Sequence, residues 1–346
     1  MRKPVRVIIL ALLAALTLGI AACGGDDDSG GGGGGGRSSE KKAIKAGLVT
    51  DIGGLNDRSF NFLANKGLED AKSKLGVEGR VFLSKSNGDY IPNLQTSAQQ
   101  QNDLTISVGF LMGDATATVA KKFPQNEFAI VDFSASALKG APKNVEGLLF
   151  KEQEAGYLAG YLAGLWAKDN NADTVSTVGG QKIPPVDHYI AGFQKGATDA
   201  NPSIKTLNGY SQDFVDQAKC KEIALNQIAQ GSKVVFQVAG QCGLGALDAA
   251  KEKNVQGIGV DADQSYLGPH ILTSALKKVD VAVFDAIKGA QEGKFNGGSD
   301  VIASVKSGGI GLGKLGPEGQ KYADQIKKVQ DDIASGKISN IPDTVK

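Results

Sequence analysis

From position 43 onward the chain alternates short apolar runs with longer stretches in which apolar residues return every three or four positions. The runs at 43–50, 104–111, 128–133, 145–150, 174–178, 233–239 and 255–260 read as strands. Between them, 61–75, 94–102, 115–123, 152–167, 190–199, 217–229 and 244–253 carry the helical period. Strand and helix in alternation imply parallel sheets covered by helices on both faces, an α/β class. Several strand runs close on Gly, Asp or Asn, and open α/β sheets place their ligands at those ends.

Two apolar segments break this rhythm. Residues 155–167 read AGYLAGYLAGLWA, with Gly156, Gly160 and Gly164 at a four-residue spacing. The segment is too short to span a bilayer and is flanked by Glu152, Glu154, Lys168 and Asp169. It predicts a buried helix whose glycine stripe lets another element approach closely. The other segment, 7–22, follows Arg2, Lys3 and Arg6 and ends in Ala21-Ala22-Cys23, which predicts a signal peptide over 1–22. The four residues Ile20-Ala21-Ala22-Cys23 resemble a bacterial lipobox, in which the cysteine is acylated after cleavage. Residues 23–40 include a glycine tract and predict a flexible tether of roughly 20–25 Å reach.

The remaining body of about 300 residues exceeds what one core usually supports, so two lobes are expected. A formal net charge of +1 argues against nucleic acid as a partner, which would require a basic face. Of the three cysteines, Cys23 is assigned to the lipid. Cys220 and Cys242 either form a disulfide in an oxidising compartment or remain buried thiols. His188 and His270 stand in no metal-ligand spacing, and HExxH, CxxC and GxSxG are all missing, so neither metal nor cofactor nor catalysis is expected. Gly311, Gly313 and Gly316 fit GxGxxG but lack a βαβ context, and the following Pro317 and Glu318 suggest a helix start.

What the chain does contain is polar and aromatic groups at strand ends. After the first strand comes DIGGLNDRSFN at 51–61, where Asp57 suits a helix N-cap and Phe60 faces a cleft mouth. Phe214 precedes a helix, 234–239 ends at Gly240, and 255–260 ends at Asp261.

These blocks, together with DYIPNL at 89–94, FAIVDF at 128–133, EAGYLAGYLAGL at 154–165, PPVDHYIAGFQKG at 184–196, VFQVAGQCGLG at 235–245, GVDADQ at 259–264 and LTSALKKVDVAV at 272–283, resemble the basic membrane protein family of purine nucleoside receptor lipoproteins. The resemblance covers about 43–284. It implies a two-lobed periplasmic-binding-protein type I fold joined by a three-crossing hinge, serving an ABC permease and ATPase. The expected lobes are 41–149 with 264–303 and 150–263 with 304–346, with crossings near Phe150, Gln264 and Ser304.

The resemblance further implies a nucleoside base held between Phe60 and Phe214. Asp51, Asn61, Asp261, the Gly240 backbone and Lys277 would serve the ribose, with Asp132 as a further polar contact. Tyr210 or Phe236 could instead supply the second ring, and either Lys277 or Lys278 could point inward. A bridge from Cys220 to Cys242 could clamp that side of the cleft. The expected protein is a monomer on the outer face of the cell membrane. The rivals are a sugar or small-signal binder of the same fold and, in another class, a nucleoside hydrolase or phosphorylase.

Overall fold

The computed structural model describes residues 43–345. The proposed signal peptide, Cys23 and the tether lie outside the described residues.

The first lobe is built from β1 (Lys45–Val49), α1 (Phe60–Leu75), β2 (Glu78–Phe82), α2 (Tyr90–Gln99), β3 (Leu104–Ser107), α3 (Gly113–Lys122), β4 (Glu127–Val131) and β5 (Val145–Phe150). The second follows with α4 (Glu152–Asp169), β6 (Thr174–Gly179), α5 (Pro184–Ala200), β7 (Lys205–Tyr210), α6 (Gln217–Ala229), β8 (Val234–Val238), α7 (Gly240–Glu252), β9 (Gln256–Asp261) and β10 (Ile271–Lys277). The chain then runs through α8 (Val279–Gln291), β11 (Asp300–Ala303), β12 (Ile310–Leu312) and α9 (Ala323–Ala334).

The two sheets share one strand order: β2-β1-β3-β4-β5-β11 and β7-β6-β8-β9-β10-β12. Every neighbouring pair is parallel except β10 with β12. Central strands such as β3 and β8 are buried along their whole length, as strands covered on both faces must be. In this order the topological switch lies between β1 and β3 in one lobe and between β6 and β8 in the other, where loops diverge and leave a crevice.

The chain changes sheet at Lys151, at Lys278 and within 304–309. The second of these differs from the crossing expected near Gln264. β10 runs parallel to β9, paired from Ile271 to Leu276 with a register shift between Ile271 and Thr273, and β12 lies on its far side. Residues 271–277 therefore belong to the second sheet, and the crossing waits until α8, which packs on α1. There Gly67 leaves no room for a Cβ beside the Asp280 carbonyl, and Lys66 pairs with Asp280 at 2.7 Å. The helix suggested at Pro317 begins later, at Ala323, behind a short 3-10 turn over Gln320–Tyr322.

The glycine stripe of α4 faces α5, backbone against backbone. Gly156, Gly160 and Gly164 lie under the carbonyls of Tyr189, Phe193 and Ala197, and Gly192 and Gly196 of α5 return the contact against Gln153 and Tyr157. A Cβ at Gly160 would overlap the Phe193 carbonyl, so Gly160→Ala must push the helices apart. We expect it to lower stability by about 1–3 kcal/mol in chemical denaturation. Gly311→Ala, at a glycine with no neighbour within 4 Å of the added carbon, is the control and should be near neutral.

Candidate ligand-binding site

The strand ends of both sheets meet around one cavity with about 640 Å³ of empty space, its open mouth included. All eight sequence-predicted residues line it: Asp51, Phe60, Asn61, Asp132, Phe214, Gly240, Asp261 and Lys277.

Asp51 follows β1 directly. Its carboxylate accepts from the Ile52 N–H at 2.7 Å and from the Tyr90 hydroxyl. Gly109, at φ 118°, has no side chain to displace that carboxylate or the adjacent Phe60 ring. Asn61 braces the same loop, its Oδ1 accepting from Asp51 N at 3.1 Å and its Nδ2 donating to Ile52 O at 3.2 Å. Ser59, not Asp57, is the N-cap residue of α1, but Asp57, two residues earlier, accepts from the N–H groups of Ser59, Asn61 and Phe62 and so satisfies the first turn, and it also borders the cavity.

Asp132 and Asp261 stand at matching places, just past β4 and at the end of β9. Both hold left-handed backbone, φ 69° and 59°, a conformation that costs energy in a non-glycine residue and is concentrated at functional positions. Asp261 accepts from the Tyr189 hydroxyl at 3.2 Å and, across the lobes, from the Ser59 hydroxyl at 2.8 Å.

Lys277, at the end of β10, is only 2 % exposed, whereas Lys278 faces solvent. Its Nζ lies 2.6 Å from Asp132 Oδ1 and 2.9 Å from Glu152 Oε1. The other Glu152 oxygen lies 3.0 Å from His188 Nδ1. The ammonium also stands 5.2 Å from the Phe60 ring centre and 4.9 Å from that of Phe150. Burial alone would strip the Lys277 proton, but Asp132, Glu152 and Asp261 outweigh it and hold the ammonium charged. Glu152 is also buried, yet Lys277 and His188 keep it ionised. Burial pushes Asp51 up to about 6, tempered by the Tyr90 hydroxyl, and raises Asp132, an effect the Lys277 ammonium opposes. Asp261 is raised by the same cause.

The two rings come from opposite lobes. Phe60 lies against Gly109, and Phe214 lies against Gly180, where a Cβ would overlap it. The alternatives are engaged elsewhere. Phe236 is fully buried among Phe193 and Tyr189, and the Tyr210 hydroxyl donates to Asp187 at 2.5 Å. Sequence reasoning missed Phe110, which stacks on Phe133 at 4.9 Å between centroids and lines the cavity, and also Tyr90, Tyr189 and Glu152. A carboxylate opening a glycine-rich apolar helix was the available signal for Glu152. Cys220 and Cys242 form a disulfide, with Cα atoms 5.5 Å apart.

Comparison with known proteins fits this geometry. The Bmp family, described as ABC transporter substrate-binding protein PnrA-like, matches residues 44–344. The ABC transporter nucleoside-binding protein BmpA of Lactococcus lactis is 36% identical over 86% of this chain and 89% of its own. An uncharacterized lipoprotein of Pyrococcus abyssi is 35% identical over 84% of this chain and 75% of its own. The solved structure of an ABC transporter solute-binding protein from Aeropyrum pernix superposes with a TM-score of 0.78 at 28% identity, covering 86% of this chain and 94% of that one. With two parallel-sheet lobes, their strand ends facing one cavity and a family match over nearly all the described residues, this chain belongs to the Bmp family of PnrA-like ABC transporter substrate-binding proteins.

Proposed function

We propose that this protein is a lipid-anchored, monomeric receptor on the extracytoplasmic face of the cell membrane. It captures nucleosides, purines in preference, between its lobes and delivers them to an ABC permease and ATPase. The observation that carries this reading is the presence of Phe60 and Phe214, one aromatic ring from each lobe, in the lining of one cavity rimmed by carboxylates. A flat base between two rings gains stacking on both faces, about 1–3 kcal/mol for each aromatic contact. Asp51 and Asp261 supply acceptors for the hydroxyls of a furanose.

Charge narrows the ligand class further. The lining acids Asp51, Asp57, Asp132 and Asp261 face a single lining cation, Lys277, whose ammonium is already paired with Asp132 and Glu152. A phosphate entering this space would meet carboxylates with no uncommitted lysine beside them, which favours nucleosides over nucleotides. The anchor at Cys23 rests on the lipobox-like sequence and on lipoproteins among the relatives. Among the described residues no helix is long and apolar enough to cross a membrane.

Isothermal titration against adenosine, inosine, guanosine, cytidine, uridine, ribose and AMP tests the reading. Purine nucleosides should bind with micromolar or tighter affinity, and ribose and AMP should not. Phe60→Ala and Phe214→Ala should each weaken binding by about 1–3 kcal/mol, with the melting temperature of the empty protein nearly unchanged. Binding of free sugars without nucleosides would transfer the protein to the sugar-binding class.

The pH dependence follows from Asp51. A hydroxyl donated to it favours the ionised form, so ligand lowers a pKa that stands near 6 in the empty site. Affinity should therefore rise between pH 5 and pH 7, with proton release, and flatten above. In the empty protein the linkage runs the other way, because the folded value is raised. The group's contribution to stability is full below its ordinary value of 3.8 and is lost as pH rises through about 6. Asp51→Asn should weaken binding at pH 8 and flatten the pH profile of affinity, as read by titration in buffers of different ionisation heat.

A further inference from the structure

The ring of Phe214 is carried on a six-residue connection, 211–216, between β7 and α6, and little of that connection is buried. Its start is tied to the β6 end by Ser211 N and Gln212 N, which donate to the carbonyls of Gly179 and Gly180 at 2.9 and 3.0 Å. Its other end is tied internally, through Asp213 accepting from Val215 N and Asp216 N. Phe214 itself has one backbone anchor to another element: its carbonyl accepts from the Cys242 N–H at 3.0 Å. The same residue places its sulfur 3.4 Å from the Ser211 hydroxyl, at the other end of the loop.

Cys242 lies in the first turn of α7, two residues beyond the cavity-lining Gly240, and Cys220 lies in the first turn of α6, four residues beyond Asp216. Their disulfide therefore joins the helix that ends the loop to the helix whose N–H holds the loop's aromatic residue. Both cysteines are fully buried. We infer that the Cys220–Cys242 disulfide is a positioning element of the ligand site, holding Phe214 in place before ligand arrives. The inference rests on the nucleoside reading for its effect on affinity, but not for its effect on the loop.

Preorganisation acts by removing an ordering cost from binding. Ordering one side chain and its short loop accounts for roughly a two- to tenfold loss of affinity when it must happen on association. The competing view is that the α6–α7 packing, in which Gly245 lies under the Gln217 carbonyl, already fixes the loop and that the disulfide adds stability alone.

The test compares the wild type with Cys220→Ala/Cys242→Ala, and with Cys220→Ala alone should the double variant melt near the assay temperature. Hydrogen exchange of the peptide spanning 211–216 and of the Cys242 amide is measured in the empty protein. Inosine affinity is measured in each background with and without Phe214→Ala. The inference expects faster exchange confined to this loop and the α7 first turn, a two- to tenfold weaker affinity, and a smaller penalty for Phe214→Ala once the bond is gone. A lower melting temperature with unchanged exchange, or an undiminished Phe214→Ala penalty, would overturn it. If the wild type takes no nucleoside, the proposed function fails, while loop exchange still decides whether the disulfide holds Phe214.

Discussion

A buried ammonium governs how the two lobes meet. Lys277 ends the last parallel strand of the second lobe, one residue before the chain crosses back, and its Nζ reaches Asp132 on the first lobe and Glu152 at the head of α4. Charges removed from water persist only when paired and hydrogen-bonded. The three groups therefore require one another, and two of them, Glu152 and Lys277, lie beside two of the three crossings. Losing the lysine would leave Asp132 without its cation and Glu152 with only His188 beside it. Keeping it fixes the distance between the β4 and β10 ends, and with it the width of the cavity.

The sheets repeat one strand order, so each lobe offers the same kind of edge. Asp132 and Asp261 are the counterpart residues of those edges, both in left-handed backbone. They are used differently. Asp132 neutralises Lys277, whereas Asp261 is held by Tyr189 from its own lobe and by Ser59 from the other. The Ser59 bond joins the two lobes directly at a cavity carboxylate and fixes its orientation.

Much of this architecture was legible in the sequence, because central strands of a doubly covered sheet are continuous apolar runs and the polar groups after them stand out. DIGGLNDRSFN and GVDAD are examples, and the residues drawn from them line the cavity. Edge strands were not legible: EGRVF of β2 and KTLNGY of β7 are half-exposed and carry little apolar signal. The lobe to which β10 belongs could not be read either, since parallel pairing is a long-range choice that leaves no local pattern. Lys277 and Lys278 differ only in which side of the strand end they occupy. Tyr90 and Tyr189 fall just before the helical periods read at 94–102 and 190–199, and only the fold turns their hydroxyls toward Asp51 and Asp261.

A crystal structure of the protein with inosine is the most direct measurement. The purine is expected between Phe60 and Phe214, with furanose hydroxyls on Asp51 and Asp261 and Lys277 still bound to Asp132 and Glu152. A nucleoside bound with its base against neither ring, or a Lys277 released from both acids to meet the ligand, would contradict this expectation.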